Sequence, residues 1–223
     1  HIMSNLINII HKMTKELIDS ELAIDFSPTF ETRAQNNKLF TWNNKFKLSD
    51  YFRCNNLYIL YKSFLKNNDY TILFKDGSLI QLTYEFDSRE RNLIKHRLFF
   101  LHFPFLKDDI DKQIAPLDYL ESFETQDVDR FFQIEKFESI GFIRFDYDPN
   151  ASQNSETPHP ICHLTINKEG VRIPISRPIK PETFLKFILN HYYNYNFTNS
   201  YISDMPCTGE LTPEEKRLIH LIS

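Results

Sequence analysis

The stretch "HPICHLTI" (159–166) holds two histidines four residues apart, His159 and His163, with Arg172 following shortly after. Three chemistries could use them. Zinc wants three or four ligands, and four-apart histidines converge on one ion easily on a helix. Here Pro160 follows His159 and the run reads as extended, so the two rings would lie roughly 13 Å apart at about 3.3 Å per residue. A shared ion, and with it a metal site, is therefore not expected. The second chemistry is acid–base. A histidine titrates near neutrality, and nearby Arg and Asp side chains would tune and orient it. The third possibility is a structural histidine in a strand, bonded to a neighbour.

The surrounding strands decide what could meet His163. In "SIGFIRFDYD" (139–148), Ile143, Phe145 and Tyr147 share one parity, while Arg144, Asp146 and Asp148 share the other. In 161–166, Cys162, Leu164 and Ile166 oppose His163 and Thr165. Gln81 and Thr83 oppose Ile80, Leu82 and Tyr84, and Arg172 opposes Val171 and Ile173. If these strands share one sheet, Gln81, Arg97, Arg144, Asp146, His163 and Arg172 converge on one face. Polar-out alternation is the ordinary solvent face of an antiparallel sheet. Three arginines, a histidine and an aspartate are also the kit that holds a phosphate or carboxylate. On the second view His163 is the candidate acid–base residue, assisted by His159 and oriented by Asp146. Arg144, Arg172, Arg97 and Gln81 would then bind the ligand. With parity placing Asp146 beside His163, the carboxylate should raise the imidazole pKa unless burial opposes it.

The elements that must position these residues follow from periodicity. "SNLINIIHKMTKELIDSEL" (4–22) has helical spacing at Leu6, Ile9, Ile10, Met13, Leu17 and Ile18, with Ser4 as its cap. "NLYILYKSFLKN" suits a second helix, with Leu57, Leu60, Tyr61, Phe64 and Leu65 on one face, or a pair of strands. From Asp69 the period becomes two, and Asp76-Gly77 predicts a hairpin with a type I′ turn. Strands are expected at 70–75, 78–86, 94–103, 140–147, 161–167 and 171–176, the last two joined around Lys168-Glu169-Gly170. A helix should run from Pro181 to about 194, packing Phe184, Phe187, Ile188 and Leu189. A final helix should open on the capping box Thr212…Glu215. The class is α+β: a mainly antiparallel sheet of about six strands flanked by N-terminal and C-terminal helices, with one face covered. Residues 3–223 read as a single domain with an acidic helical or loop insertion at about 107–138.

Composition narrows the function classes. The 223 residues carry 21 Phe and 11 Tyr against 4 Gly, a bias toward strands and broad packing surfaces. The net charge of −4 does not advertise nucleic-acid binding by the chain as a whole. Charge is uneven, however: residues 107–148 hold 12 acidic and 5 basic side chains. Cys54, Cys162 and Cys207 are an odd number without short spacing, which argues against a disulfide framework or zinc ribbon and for a cytoplasmic setting. Cys162 shares the apolar side of its strand and reads as packing. No signal peptide is expected from the first residues, and the longest apolar run, "LFFLHFPFL", is too short to span a bilayer. His1-Ile2 ahead of Met3 reads as a cloning remnant and is given no role. There is no G-x-G-x-x-G, P-loop or G-x-S-x-G. No cofactor is expected. "DDID" (108–111) lacks the glycine and glutamate of a calcium loop and reads as a solvated run.

"DGSLIQLTYEFD" (76–87), "HRLFFLHFPF" (96–105), "RFDYDP" (144–149), "HPICHLTI" (159–166) and "RIPISRPIKPETFLKFIL" (172–189) together resemble, in order and spacing, the bacterial domain-of-unknown-function 2290 family. The resemblance implies a bacterial, soluble, single-domain protein of the accessory-gene or phage-defence kind. It implies no activity. Two functions therefore stay open, beside that of a small-ligand binder gripping a carboxylate or nucleotide through the arginines without turning it over. One is an RNA-directed, nuclease-like effector acting on phosphodiesters through the residues above. The other is a non-catalytic subunit or antitoxin-like regulator that binds another protein of the same operon. Its contact surfaces would be the aromatic run Tyr192, Tyr193, Tyr195, Phe197 and Tyr201 and the acidic 107–148 region.

Overall fold

A computed structural model describes residues 2–42, 57–103, 115–121, 141–150, 159–167, 170–218 and 220–222. "DDID", Cys54, Lys168-Glu169 and most of the acidic insertion lie outside the described residues; within the insertion, Pro116–Glu121 is helical. The elements in chain order are α1 (Ile2–Asp19), β1 (Ala23–Phe26), β2 (Phe30–Ala34), β3 (Asn37–Thr41), α2 (Leu57–Lys66), β4 (Ile72–Phe74), β5 (Leu79–Phe86), β6 (Leu93–Leu101), α3 (Pro116–Glu121), β7 (Phe142–Tyr147), β8 (Cys162–Ile166), β9 (Ile173–Pro174) and α4 (Pro181–Tyr193). The class is α+β with helices at both ends, as the alternation and helical spacing indicate.

All strands among the described residues join one antiparallel sheet of nine, in the order β1-β4-β5-β6-β7-β8-β9, with β3 also pairing β5 and β2 pairing β3. The expected strands are all present, somewhat shorter, but three more precede them. These are β1 to β3. The β2–β3 hairpin turns through Gln35 at φ +57°, a conformation that no Asn-Gly or Asp-Gly pair announces. The Asp76-Gly77 hairpin forms, with a different turn. Only Gly77 has positive φ (+89°), and Phe74 N–H reaches Ser78 O at 2.8 Å, so an extra residue enters the loop. This is the three-residue loop with glycine in the left-handed position, not type I′. An added Cβ at Gly77 would lie 2.8 Å from the Phe103 ring.

Both faces of the sheet carry a core, where one was expected. On the first, Ile80, Leu82, Tyr84, Leu98, Phe100, Ile143, Phe145 and Leu164 pack under α1 and α4. The α1 stripe Met3, Leu6, Ile9, Ile10, Met13 and Leu17 is buried there; the helix begins at Ile2, which puts Ser4 inside its first turn instead of at the cap. From α4, Phe184, Ile188 and Leu189 are fully buried, Phe187 packs at the edge, and the helix stops at Asn194 in the left-handed region. On the second face, Leu79, Phe99, Leu101 and Phe142 pack with Tyr61, Phe64 and Leu65 of α2 and Leu120 of α3.

The capping box forms, with Thr212 N–H on Glu215 Oε2 (2.7 Å) and Glu215 N–H on Thr212 Oγ1 (3.2 Å). It caps only a single 3-10 turn, Glu215–Arg217. The chain then leaves to lie beside β9, where Leu221 bridges Ile175 in parallel. Docking on the sheet edge wins over the helical pattern.

Candidate functional site

Register places the polar residues in two rows across the second face. One row runs Thr83, Arg97, Asp146, His163 along β5, β6, β7 and β8; the next runs Gln81, Phe99, Arg144, Thr165. Helices α2 and α3 pack on the adjoining apolar end of this face, around Leu79, Leu101 and Phe142. The rows are not the solvent face that polar-out alternation suggests. Asp146 is 6 % exposed, His163 2 %, Thr165 0 % and Gln81 4 %.

Asp146 is the hub. Its Oδ1 accepts from Arg97 Nε at 2.8 Å and its Oδ2 from Arg144 Nε at 2.5 Å. His163 Nε2 stands 3.6 Å from Oδ2, too far for a hydrogen bond. Burial pushes the Asp146 carboxyl up, but the Arg97 and Arg144 charges outweigh it and hold the group below its ordinary value. So the carboxylate is ionised between two guanidiniums, and the trio carries one net positive charge. Lys95 and Asp148 form a separate neutral pair on the same face, Nζ to Oδ2 at 2.6 Å.

His163 behaves differently from the sequence-based expectation. Burial lowers its pKa to about 4, and the opposing pull of Asp146 is the smaller effect. Two cations already satisfy the carboxylate, and a third would lose its own hydration. The ring is therefore neutral at pH 7. Its Nδ1 lies 3.0 Å from Pro160 O, and a carbonyl only accepts, so Nδ1 carries the proton and Nε2 a lone pair.

His159 lies in the segment before β8, as Pro160 requires, but its ring is not 13 Å away. The two imidazole centroids are 4.8 Å apart, edge to face. The chain turns at Pro160, as the Pro160 O to His163 contact shows, and extended spacing does not apply. His159 Nδ1 is buried without a hydrogen-bond partner among the described residues, as is Thr165 Oγ1. No group of three His, Cys, Asp or Glu among the described residues is arranged to hold a metal.

The remaining candidates separate. Gln81 is on the right face, but its amide donates to Asp69 O at 2.6 Å and supports the main chain. Arg172 is half-buried immediately before β9 and has no ion pair among the described residues. The structure thus brings Arg97, Arg144, Asp146 and His163 together, sets His159 against His163, and leaves Gln81 and Arg172 at the margin. Thr165 was visible as a face-mate of His163, but residue type gave no reason to nominate it. The Pro160 carbonyl, which fixes the tautomer, has no sequence signal.

Cys162 is buried, with Sγ 3.2 Å from Arg177 O, and burial pushes its thiol up to about 12, so it packs and does not attack. No helix among the described residues is long and apolar enough to cross a membrane.

A family model described as "Uncharacterized conserved protein (DUF2290)" matches residues 22–223, which is nearly the whole chain. No curated protein matches, and no solved structure does.

Proposed function

For this chain, which belongs to the domain-of-unknown-function 2290 family, we propose that the second sheet face binds a phosphate group of single-stranded RNA, with Arg97 as the contact and Asp146 as the residue that aims it. One observation carries this reading. Asp146 holds Arg97 through Nε, while the Arg97 side chain remains 37 % exposed with no other partner among the described residues. The terminal nitrogens of a guanidinium pinned in that way form a pre-set fork for a phosphate. Arg172, on the same parity and also without an ion pair among the described residues, is the second cation. The chain's net charge of −4 confines attraction to this patch.

Fluorescence anisotropy with a labelled oligoribonucleotide tests it. Each phosphate contact contributes about 0.7 to the slope of log affinity against log salt on single strands, so two contacts give about 1.4. Arg97→Ala should weaken binding and lower the slope by about 0.7. Affinity unchanged in that variant sinks the proposal.

His163 favours a second reading, phosphodiester cleavage. Its Nε2 lone pair beside an ionised carboxylate is a base, though a weak one with a pKa of about 4. Cleavage would then show its base-dependent limb near pH 4 and vanish in His163→Ala. A subunit role in a defence complex rests on the family resemblance alone. The aromatic run supports it little, since Tyr193, Tyr195, Phe197 and Tyr201 pack against the protein's own core.

A further inference from the structure

The two edges of the sheet are finished differently. At the β9 edge the chain's own tail lies alongside. Ser176 N–H donates to Leu221 O (3.0 Å) and Leu221 N–H to Pro174 O (2.9 Å). On the opposite side two strands stand outermost, β1 on β4 and β2 on β3; β2 pairs only with β3, and no second strand meets it among the described residues. Its outer main-chain groups are thus a template for another strand.

The side chains on that edge indicate which strand fits. The segment reads Phe30-Glu31-Thr32-Arg33-Ala34. Glu31 and Arg33 share a face and flank Thr32, and both are exposed. Edges are commonly protected by charges of one sign, which repel a copy of themselves. Here the signs are opposite, and the order suits a two-fold axis. With β2 antiparallel to itself and centred on Thr32, Glu31 stands opposite the partner subunit's Arg33, and Arg33 opposite the partner subunit's Glu31. A shift of two residues in one direction sets Arg33 against itself, and in the other sets Glu31 against itself. A shift of one removes both pairs. One register is therefore selected by charge.

The neighbours agree with that register. Lys38 Nζ lies 3.0 Å from Glu31 and 2.5 Å from Glu90, so one cation is shared between two carboxylates and leaves Glu31 room for a second, across the edge. Arg33 has no ion pair among the described residues and supplies the charge that the pairing uses. Phe30, 43 % exposed, lies on the opposite side of the same strand, where a partner strand would cover it.

We propose that β2 pairs antiparallel with β2 of a second copy of this chain, joining two nine-stranded sheets about a two-fold axis at Thr32. This is independent of the phosphate-binding reading. Sedimentation velocity over a concentration series up to about 1 mM is the test. The wild-type chain should dimerise. Arg33→Glu should weaken the dimer roughly tenfold or more, because two attractive cross-strand pairs become repulsive. The exchange Glu31→Arg with Arg33→Glu should restore it. Thermal melts of each variant separate loss of pairing from loss of fold, since Arg33 is exposed and makes no described contact to lose. Backbone amide exchange of residues 30–34 should slow with rising concentration. A chain that stays monomeric across the series overturns the proposal. So does a dimer whose affinity ignores Arg33→Glu.

Discussion

Asp146 shows how one residue can be indispensable while contributing little net attraction. Removing it takes from Arg97 the counter-charge it has among the described residues and from the buried Arg144 a carboxylate at 2.5 Å, and breaking such a pair costs more than the pair itself is worth. Asp146→Ala should destabilise the fold by about 3 kcal/mol, read from denaturant midpoints. Asp146→Asn keeps the shape and should lower the His163 pKa further below about 4, since the carboxylate is the main force holding it up. An NMR titration in which His163 does not move would break the assigned pair. His96 and His163 are both held near 4 by burial. An imidazole lowered in this way is neutral in the fold and takes up a proton on unfolding below its unfolded value of 6.5. Acid therefore favours the unfolded chain between about pH 6.5 and 4, and stability should climb with pH over that window. Each histidine contributes on the order of 3 kcal/mol by pH 4. Strand parity made the Arg97–Asp146–His163 row legible in the sequence. The sign of the His163 shift was not legible, because it depends on how deeply the face is buried, and polar-out alternation reads as a solvent face.

Among the elements, α1 is fastened twice. At its first turn Met3 N–H donates to Glu90 Oε2 (3.0 Å). Near its end Glu16 accepts from Thr198 N–H and Oγ1, Asn199 Nδ2 and Tyr201 OH. Partial desolvation pushes the Glu16 carboxyl up, but these donors outweigh it and hold it at about 2. Glu16→Ala should free the segment 195–202 from α1, seen as faster amide exchange there with little change in β5 to β8. Phe184 of α4 is fully buried and meets the Phe145 ring edge-on at 5.8 Å. Phe184→Ala should cost about 3–5 kcal/mol. Strong periods carried α1, α4 and the β4–β5 hairpin in the sequence, while the α2 run suited a helix or a strand pair alike and the structure makes it a helix. The final helix failed because the main chain at Leu221 pairs with the β9 edge, while Leu218, Leu221 and Ile222 stay exposed and so give a helix no buried stripe to stabilise it.

At the scale of the molecule, the chain's halves are sewn together through β5. Its first residues pair with β4 and its last with β3, while β6 runs along its other side. That arrangement sets an order of events for a chain collapsing from the denatured state. The β4–β5 and β5–β6 pairings close short loops, whereas β6 must wait for residues 102–141 to fold back before β7 can join, and β1 must await β4 across 27–71. Early structure should therefore be polarised: conservative truncations at Leu82 or Leu98 should slow folding, and Leu164→Ala on β8 should mainly speed unfolding, as chevron plots would show. The Arg97–Asp146 bond spans that late closure, between β6 and β7. Arg97 would then acquire its orientation only after that long loop has closed, so a kinetic intermediate would carry the cation without the carboxylate that aims it.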